Sequence, residues 1–327
     1  MDYATSALPA QFDRRAATAS FIVNLFTFHS KHGTSPDLTA PRVFMDLPAP
    51  PEHIDRDMVD ECHRIARAVA TTVENKYVLE WSAEDYAKDV GGGVLVKPEH
   101  EATLMRKYPP LIDVHKVLNS MEEHLPIIDD RPAVITDRDG NVLVWSLPGI
   151  LPEKRQMEIL KATRCIEAQL STKPVPPDEP IMKHWRSGKP FFSKSGDWLS
   201  GTTLLYVAGF AQGHTGPKHP LIPSADAKSQ RAKDWMAEFE TSGGVLDGIL
   251  AITHPGLYDA ARAVAETIWQ KRGTSHSLME LWPTCFSSIQ VIANRGTPRH
   301  RDNSALPGWL DLLLSLRTYG ENGVLEL

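Results

Sequence analysis

"SSIQVIANRGTPRHRDNSALPGWLDLLLSL", residues 287–316, is the stretch on which the fold turns. "SSIQVIAN" (287–294) alternates as a half-buried strand does. In "WLDLLLSL" (309–316), Leu310, Leu312, Leu314 and Leu316 share one face opposite Trp309, Asp311, Leu313 and Ser315. Between these runs lies a loop opened by Gly296 and Pro298 that carries His300-Arg301-Asp302. Residues i and i+2 of an extended segment point to the same side, so this spacing lets an imidazole and a carboxylate converge on one cation. A non-haem iron site needs two imidazoles and one carboxylate on one face, with open positions for cosubstrate and oxygen. His300 and Asp302 would supply two of those three metal ligands. The triplet alone is weak evidence. His53-Ile54-Asp55 has the same form just before a helical pattern, where Asp55 has an ordinary task as a cap.

Working outward from this stretch, Asn322-Gly323 reads as a hairpin turn and "VLEL" as the start of a returning strand. Upstream, "HPGLYDAARAVAETIWQKRG" predicts a helix with Leu257, Ala261, Val264 and Ile268 on one face and Gly273 at its stop. "SADAKSQRAKDWMAEFET" predicts another, capped by Ser224, and "GTTLLYVAGF" a strand. Four prolines within "STKPVPPDEP" (171–180) mark a boundary. Before it come a helix in "PEKRQMEILKATRCIEAQL", with Pro152 near its first turn, and a hairpin in "AVITDRDGNVLVWSLPG" around Asp139-Gly140-Asn141. Met58, Cys62, Ile65, Val69 and Val73 recur at helical spacing, with Asp55 or Asp57 at the start. In residues 1–52, "ATASFIVNLFTFHS" suits a short strand or helix, and the rest reads as irregular. The expected division is an irregular segment 1–52, a mixed helix and β-hairpin region 53–180, and a C-terminal region 181–327.

Composition bounds the function. With 35 Lys and Arg against 41 Asp and Glu, the net charge of −6 gives no global attraction for nucleic acid, though a local basic groove is compatible with it. One such place is "KHWRSGKPFFSKSG" (183–196), where basic residues alternate with Trp185, Phe191 and Phe192. His214 and His219 share a Gly/Pro-rich loop and form a further metal candidate. Cys62, Cys165 and Cys285 are widely spaced and odd in number, which predicts no disulfide framework and an intracellular setting, nucleus or cytoplasm. No run reaches membrane-helix length, and no serine-nucleophile motif is present.

The stretch "SSIQVIANRGTP" followed by "HRDNSALPGWLDLLLSLRTYGENGVLEL" resembles the Fe(II)/2-oxoglutarate dioxygenases of fungi grouped with the TET/JBP nucleobase oxygenases. The likeness spans roughly the last 45 residues, through the strand, the His-x-Asp, the Pro-Gly-Trp and the leucine-rich run. It implies an α+β chain with a helix-supported double-stranded β-helix (jelly roll) at the C-terminal end. It also implies Fe(II) held by His300 and Asp302, 2-oxoglutarate as cosubstrate, and a modified pyrimidine in nucleic acid as substrate. The family pattern continues with a third, distal His and an Arg for 2-oxoglutarate. No His follows Asp302 in these residues, and Arg317 comes too early to be that Arg. The expectation is therefore an incomplete jelly roll, weak metal binding, and self-association through the edge of 324–327. An inactive paralogue, or a subunit completed by another chain, is the alternative reading.

Overall fold

The computed structural model describes residues 8–90, 98–109, 132–193, 199–210, 218–270, 275–298 and 310–316. The elements run α1 (Ala10–His32), α2 (Pro41–Asp46), α3 (Arg56–Glu74), β1 (Lys76–Val78), α4 (Ala83–Val90) and α5 (Pro98–Lys107). They continue with β2 (Ala133–Thr136), β3 (Val142–Ser146), α6 (Glu153–Thr163), β4 (Gly201–Tyr206), α7 (Gln230–Thr253), α8 (Pro255–Gln270), α9 (His276–Met279) and β5 (Ser288–Ala293). The chain is α+β, with small open sheets, among the described residues one of three strands and one of two. It divides into two compact units. The first comprises Met1–Leu25, Pro48–Cys62 and Pro152–Arg299; the second comprises Phe26–Leu47, His63–Leu151 and His300–Leu327. The proline-rich 171–180 segment lies inside the first unit. There Ser171 bridges Thr202 and Lys173 bridges Gly188.

The N-terminal segment expected to be irregular contains the 23-residue helix α1. Its apolar residues Phe12, Ala19, Phe21, Ile22 and Leu25 are all buried. They are spread around the helix rather than confined to one stripe, so the 3.6-residue period that marks a surface helix is weak. Its partner in the first unit is α7, which runs on through Ser242-Gly243-Gly244 to Thr253, well past its expected end. Adjacent glycines weaken a helix locally, yet here the packing demands Gly243 and, one turn beyond the pair, Gly248. A Cβ on Gly243 would lie 1.7 Å from the Pro283 carbonyl oxygen, and one on Gly248 would lie 2.6 Å from Ile22 Cδ1. Gly244 faces Thr18 and Arg15 at ordinary contact distance. The helix begins at Ser229, whose hydroxyl accepts from the Ala232 amide at 3.1 Å. Ser224, the expected cap, instead accepts from the Ala227 and Tyr206 amides, in the turn before it.

An ion pair sits in this contact. Arg15 Nη1 is 3.6 Å from Asp247 Oδ2, and the two side chains are 3% and 4% exposed. Asp247 Oδ1 accepts from the Cys285 amide at 2.9 Å, while Arg15 lies over the Phe12 ring at 4.3 Å. Burial pushes the Asp247 carboxyl up and the Arg15 guanidinium down, each partly offset by the other's charge. A second buried arginine, Arg155 of α6, is better served. Its Nε and Nη2 fork onto Glu61 at 3.1 and 2.7 Å, and its Nη1 reaches Glu158 at 2.6 Å.

In the second unit, β2 and β3 form the expected antiparallel hairpin, and β1 adds in parallel to β2. The turn is organised by Asp137, just ahead of Asp139-Gly140-Asn141. Its carboxylate accepts from the amides of Asp139, Asn141 and Ala83 and from the Asn141 side chain, at 2.7–3.0 Å. Burial raises the Asp137 carboxyl, but these donors outweigh it and hold the group below the ordinary carboxylate range. Residues 310–316 alternate in exposure as the leucine pattern requires, with Leu313 73% exposed, yet they belong to no strand pair among the described residues. Among the described residues this end carries the two-stranded β4–β5 ribbon, an open sheet that does not amount to the expected jelly roll. The turn at Asn322-Gly323 and the edge of 324–327 lie outside the described residues.

Three variants test these contacts by urea unfolding. Asp247→Ala strands a buried guanidinium and is expected to cost about 3–5 kcal/mol, whereas the apolar pair Arg15→Met/Asp247→Leu should recover most of that loss. Asp137→Ala should cost about 1–3 kcal/mol through the amides it leaves unsatisfied.

Candidate functional site

The site builds up from strand β5. It pairs antiparallel with β4 over its whole length, from Gly201↔Ala293 to Tyr206↔Ser288. Leu205, Thr203 and Gly201 are buried on one face, and Leu204 and Ile292 are exposed on the other. The strand stops at Asn294, a non-glycine residue at positive φ (59°), a conformation Asn tolerates better than most residues. Beyond it the chain is gripped by the basic-aromatic segment. Phe192 bridges Arg295, the Ser193 amide donates to the Asn294 carbonyl at 2.9 Å, and the Gly296 amide donates to the Phe191 carbonyl at 2.8 Å. A few residues past Gly296 in sequence comes His300.

The segment 181–193 is itself braced. Lys173 exchanges backbone hydrogen bonds with Ser187 and Lys189 at 2.7 and 2.9 Å, and the Gly188 amide folds back to the His184 carbonyl at 2.6 Å. A Cβ on Gly188 would lie 2.7 Å from that carbonyl and 2.9 Å from Val175 Cγ2, so only glycine fits. Trp185 is 8% exposed, too buried to stack on a nucleobase. Its role is to hold charge. The Arg186 guanidinium carbon lies 4.3 Å from the Trp185 ring centroid, and that of Arg295 lies 4.9 Å from it. Arg295 Nη1 also donates to the Arg186 carbonyl at 3.2 Å, and its Nε donates to Thr297 at 3.1 Å. Lys173, Lys183, Arg186 and Lys189 are exposed around this centre. No acidic residue occurs in 181–193 or in 286–299, and His184 contacts Glu179 at 3.1 Å just outside. The outcome is a braced, positively charged surface on a chain whose net charge is negative. Arg295 completes it from far along the chain. Neither pattern nor composition marks this residue in the sequence, and the Phe192–Arg295 bridge is what brings it to the segment.

The expected metal ligands His300 and Asp302 lie outside the described residues, as do His214 and Arg317. His219 is exposed. Among the described residues no group of three or more His, Cys, Asp or Glu is placed to hold a metal ion. His53 and Asp55 serve structure: His53 Nε2 meets the Thr18 hydroxyl at 3.0 Å, and Asp55 accepts from the Met58 amide at 2.8 Å as the cap of α3. The cysteines are free thiols, with Cys62 and Cys285 buried. Burial pushes the Cys62 thiol up to about 12 and raises those of Cys285 and Cys165, so none is primed as a nucleophile. No helix among the described residues is long and apolar enough to cross a membrane.

Comparison with protein-family models finds no match, and comparison with curated proteins finds none either.

In a thiol-reagent time course at pH 8, Cys165 is expected to react first, with Cys62 and Cys285 slower by about tenfold or more, until urea exposes them. Mass mapping of the labelled peptides reads the order.

Proposed function

We propose that this chain is a nucleic-acid-binding relative of the Fe(II)/2-oxoglutarate dioxygenases, with His300 and Asp302 as metal ligands. One observation supports this reading above the others: the braced basic surface is clamped by backbone pairing to the strand end that leads into His300-Arg301-Asp302. A phosphate backbone would be drawn to Lys173, Arg186, Lys189 and Arg295. An imidazole and a carboxylate suit Fe(II). With 2-oxoglutarate and O2, the metal would supply the oxidising power for hydroxylating a C–H bond, and a base in a duplex would have to be flipped out to meet it. The chain's own contribution is to position the substrate. The ion pair and glycines of α7 hold the scaffold, Trp185 fixes the guanidinia, and Asn294 turns the chain out of the strand.

A second reading is favoured by the same residues. The basic surface is assembled within the described residues and needs no metal to attract a phosphate backbone. On that reading the protein binds nucleic acid without turnover, or gains its third ligand from another chain.

Two measurements separate these readings. Binding of an oligonucleotide containing 5-methylcytosine should weaken steeply with salt, and Arg186→Ala/Lys189→Ala should lower the salt slope by about one for each phosphate no longer held. Binding without salt dependence, or unchanged by this pair, would exclude the surface. Calorimetry with Mn(II) in place of Fe(II) should show weak binding that disappears in His300→Ala and Asp302→Ala. Succinate formation from 2-oxoglutarate in the same preparation decides for the enzyme, and its absence despite nucleic-acid binding decides for the binding protein.

A further inference from the structure

The β4–β5 ribbon has two faces, and the scaffold uses one of them. Gly201, Thr203 and Leu205 are buried on the inner face. The outer face is formed by Thr202, Leu204 and Tyr206 of β4, which stand opposite Ile292, Gln290 and Ser288 of β5. None of the six is charged. Leu204 is 46% exposed and Ile292 39%. Ser288 and Gln290 are exposed beside them and add hydrogen-bonding groups to the face; Gln290 Nε2 gives one N–H to Thr202 Oγ1 at 3.0 Å.

One aromatic ring stands on this face. Tyr206 is half-buried, and its backbone is fixed on the side away from β5. Its amide donates to Ser224 Oγ at 3.2 Å, and its carbonyl accepts from the Ser224 amide at 3.0 Å. Gly209 is tied to the same segment by two backbone hydrogen bonds with Ile222, at 2.8 and 2.9 Å. A Cβ on Gly209 would lie 2.8 Å from Tyr206 Cε2 and 3.0 Å from its Cδ2, so the ring rests against bare backbone there. Trp185 is a buried support, whereas Tyr206 is a ring held in place and still partly open.

The face runs into the basic surface. Ser171 exchanges backbone hydrogen bonds with Thr202 at 3.0 and 3.2 Å, which puts the two side chains on the same side of the sheet. Lys173, two residues further along an extended run, shares that side and is exposed. Ser171 pairs antiparallel to β4, so Lys173 lies beyond the Gly201 end. Arg295, held by Trp185 and the Arg186 carbonyl, lies beyond the same end, three residues past Ile292. From Tyr206 to Thr202 the face is about 13 Å long, at ~3.3 Å per residue.

These two parts together complement one form of nucleic acid. A duplex shows its phosphates and hides the flat faces of its bases, whereas a single strand shows both. We propose, resting on the reading of this protein as a nucleic-acid binder, that the outer face of β4–β5 is a platform for unpaired bases and that the ligand is a single strand. Tyr206 stacks one base, Leu204 and Ile292 cover its neighbour, and Lys173, Arg186, Lys189 and Arg295 hold the phosphates beyond. A base laid on Leu204 and Ile292 removes apolar surface from water, which a phosphate contact does not do. Every base has a π-face, so the platform tolerates any sequence.

Anisotropy titrations of the full chain compare an unpaired oligonucleotide of about 10 nucleotides with the same sequence as a blunt duplex. The single strand should bind about tenfold tighter or more at equal salt. Tyr206→Ala should weaken single-strand binding about five- to a hundredfold, the range of one stacking contact, and leave the salt slope unchanged, since the ring holds no phosphate. Tyr206→Phe keeps the stack and should bind as the unaltered chain does. Leu204→Thr/Ile292→Thr keeps strand propensity and serves should Tyr206→Ala fold poorly; it should weaken the single strand about threefold or more and leave the duplex unchanged. Equal binding of both forms, unaffected by these variants while Arg186→Ala/Lys189→Ala weakens both, would overturn the platform and leave the basic surface as the nucleic-acid site. Binding of neither form would overturn both. Capture by vesicles of anionic phospholipid that Leu204→Thr/Ile292→Thr abolishes, with no preference between strands, would assign the face to a membrane surface and overturn the platform.

Discussion

The first unit depends on how closely α1 and α7 approach. Gly248 lets α7 come against Ile22 and Ala19 of α1, where a Cβ would force the neighbours to give, and Gly243 leaves no room against the Pro283 carbonyl. At that separation Arg15 and Asp247 are removed from water and have chiefly each other to answer their charges. Two charges taken into such a contact contribute little net stability as a pair, and the loss of either is costly. The arrangement therefore acts as a selector of register: α7 slid by one turn on α1 would strand both charges. The Cys285 amide, bound to Asp247, ties the approach to β5 into the same contact.

That tie matters for the proposed site, because the basic surface has no core of its own. Its residues sit in short 3-10 turns and loops whose backbone donors are satisfied by each other and by the end of β5. A loop becomes a precise binding element when its backbone is paired and its one buried aromatic ring is fixed. Trp185 meets both conditions, and the two guanidinia at its ring tolerate each other because each faces the negative π surface. The field this creates is local. It does not depend on the net charge of −6, since exposed charges beyond about 10 Å are screened at ordinary salt.

Charge is handled differently in the second unit. Asp137 is buried and ionised because four donors converge on it, which pins the hairpin turn. His29 is buried with too little to answer a charge, so burial prevails over the Gly33 carbonyl, whose hydrogen bond alone favours the protonated ring. The same desolvation acts on both. The number and type of hydrogen-bond partners decide which charge state survives.

Elements with a clean period were legible in the sequence. The α3 face of Met58, Cys62, Ile65 and Val69, the 133–146 hairpin and the β4 and β5 strands follow from patterns of two or of three to four residues, which local geometry imposes directly. Val73 and Val264, which share those patterns, end up 48% and 40% exposed, because a period names a face and not where its cover stops. Helix α1 was legible only as one of two alternatives, a short strand or a helix, since burial on several sides erases the stripe. The passage of α7 through two adjacent glycines was not legible, since the close approach at Gly243 comes from the Pro283 carbonyl, far along the chain, and not from α7 itself. Of the proposed site, the sequence marked the basic-aromatic segment and the His-x-Asp separately. Only the tertiary structure brought Arg295 to Trp185 and turned that ring from a stacking surface into a buried support. The physical reason is common to all three cases. A local pattern records which face of an element avoids water, whereas the identity of what covers that face is set by residues far along the chain.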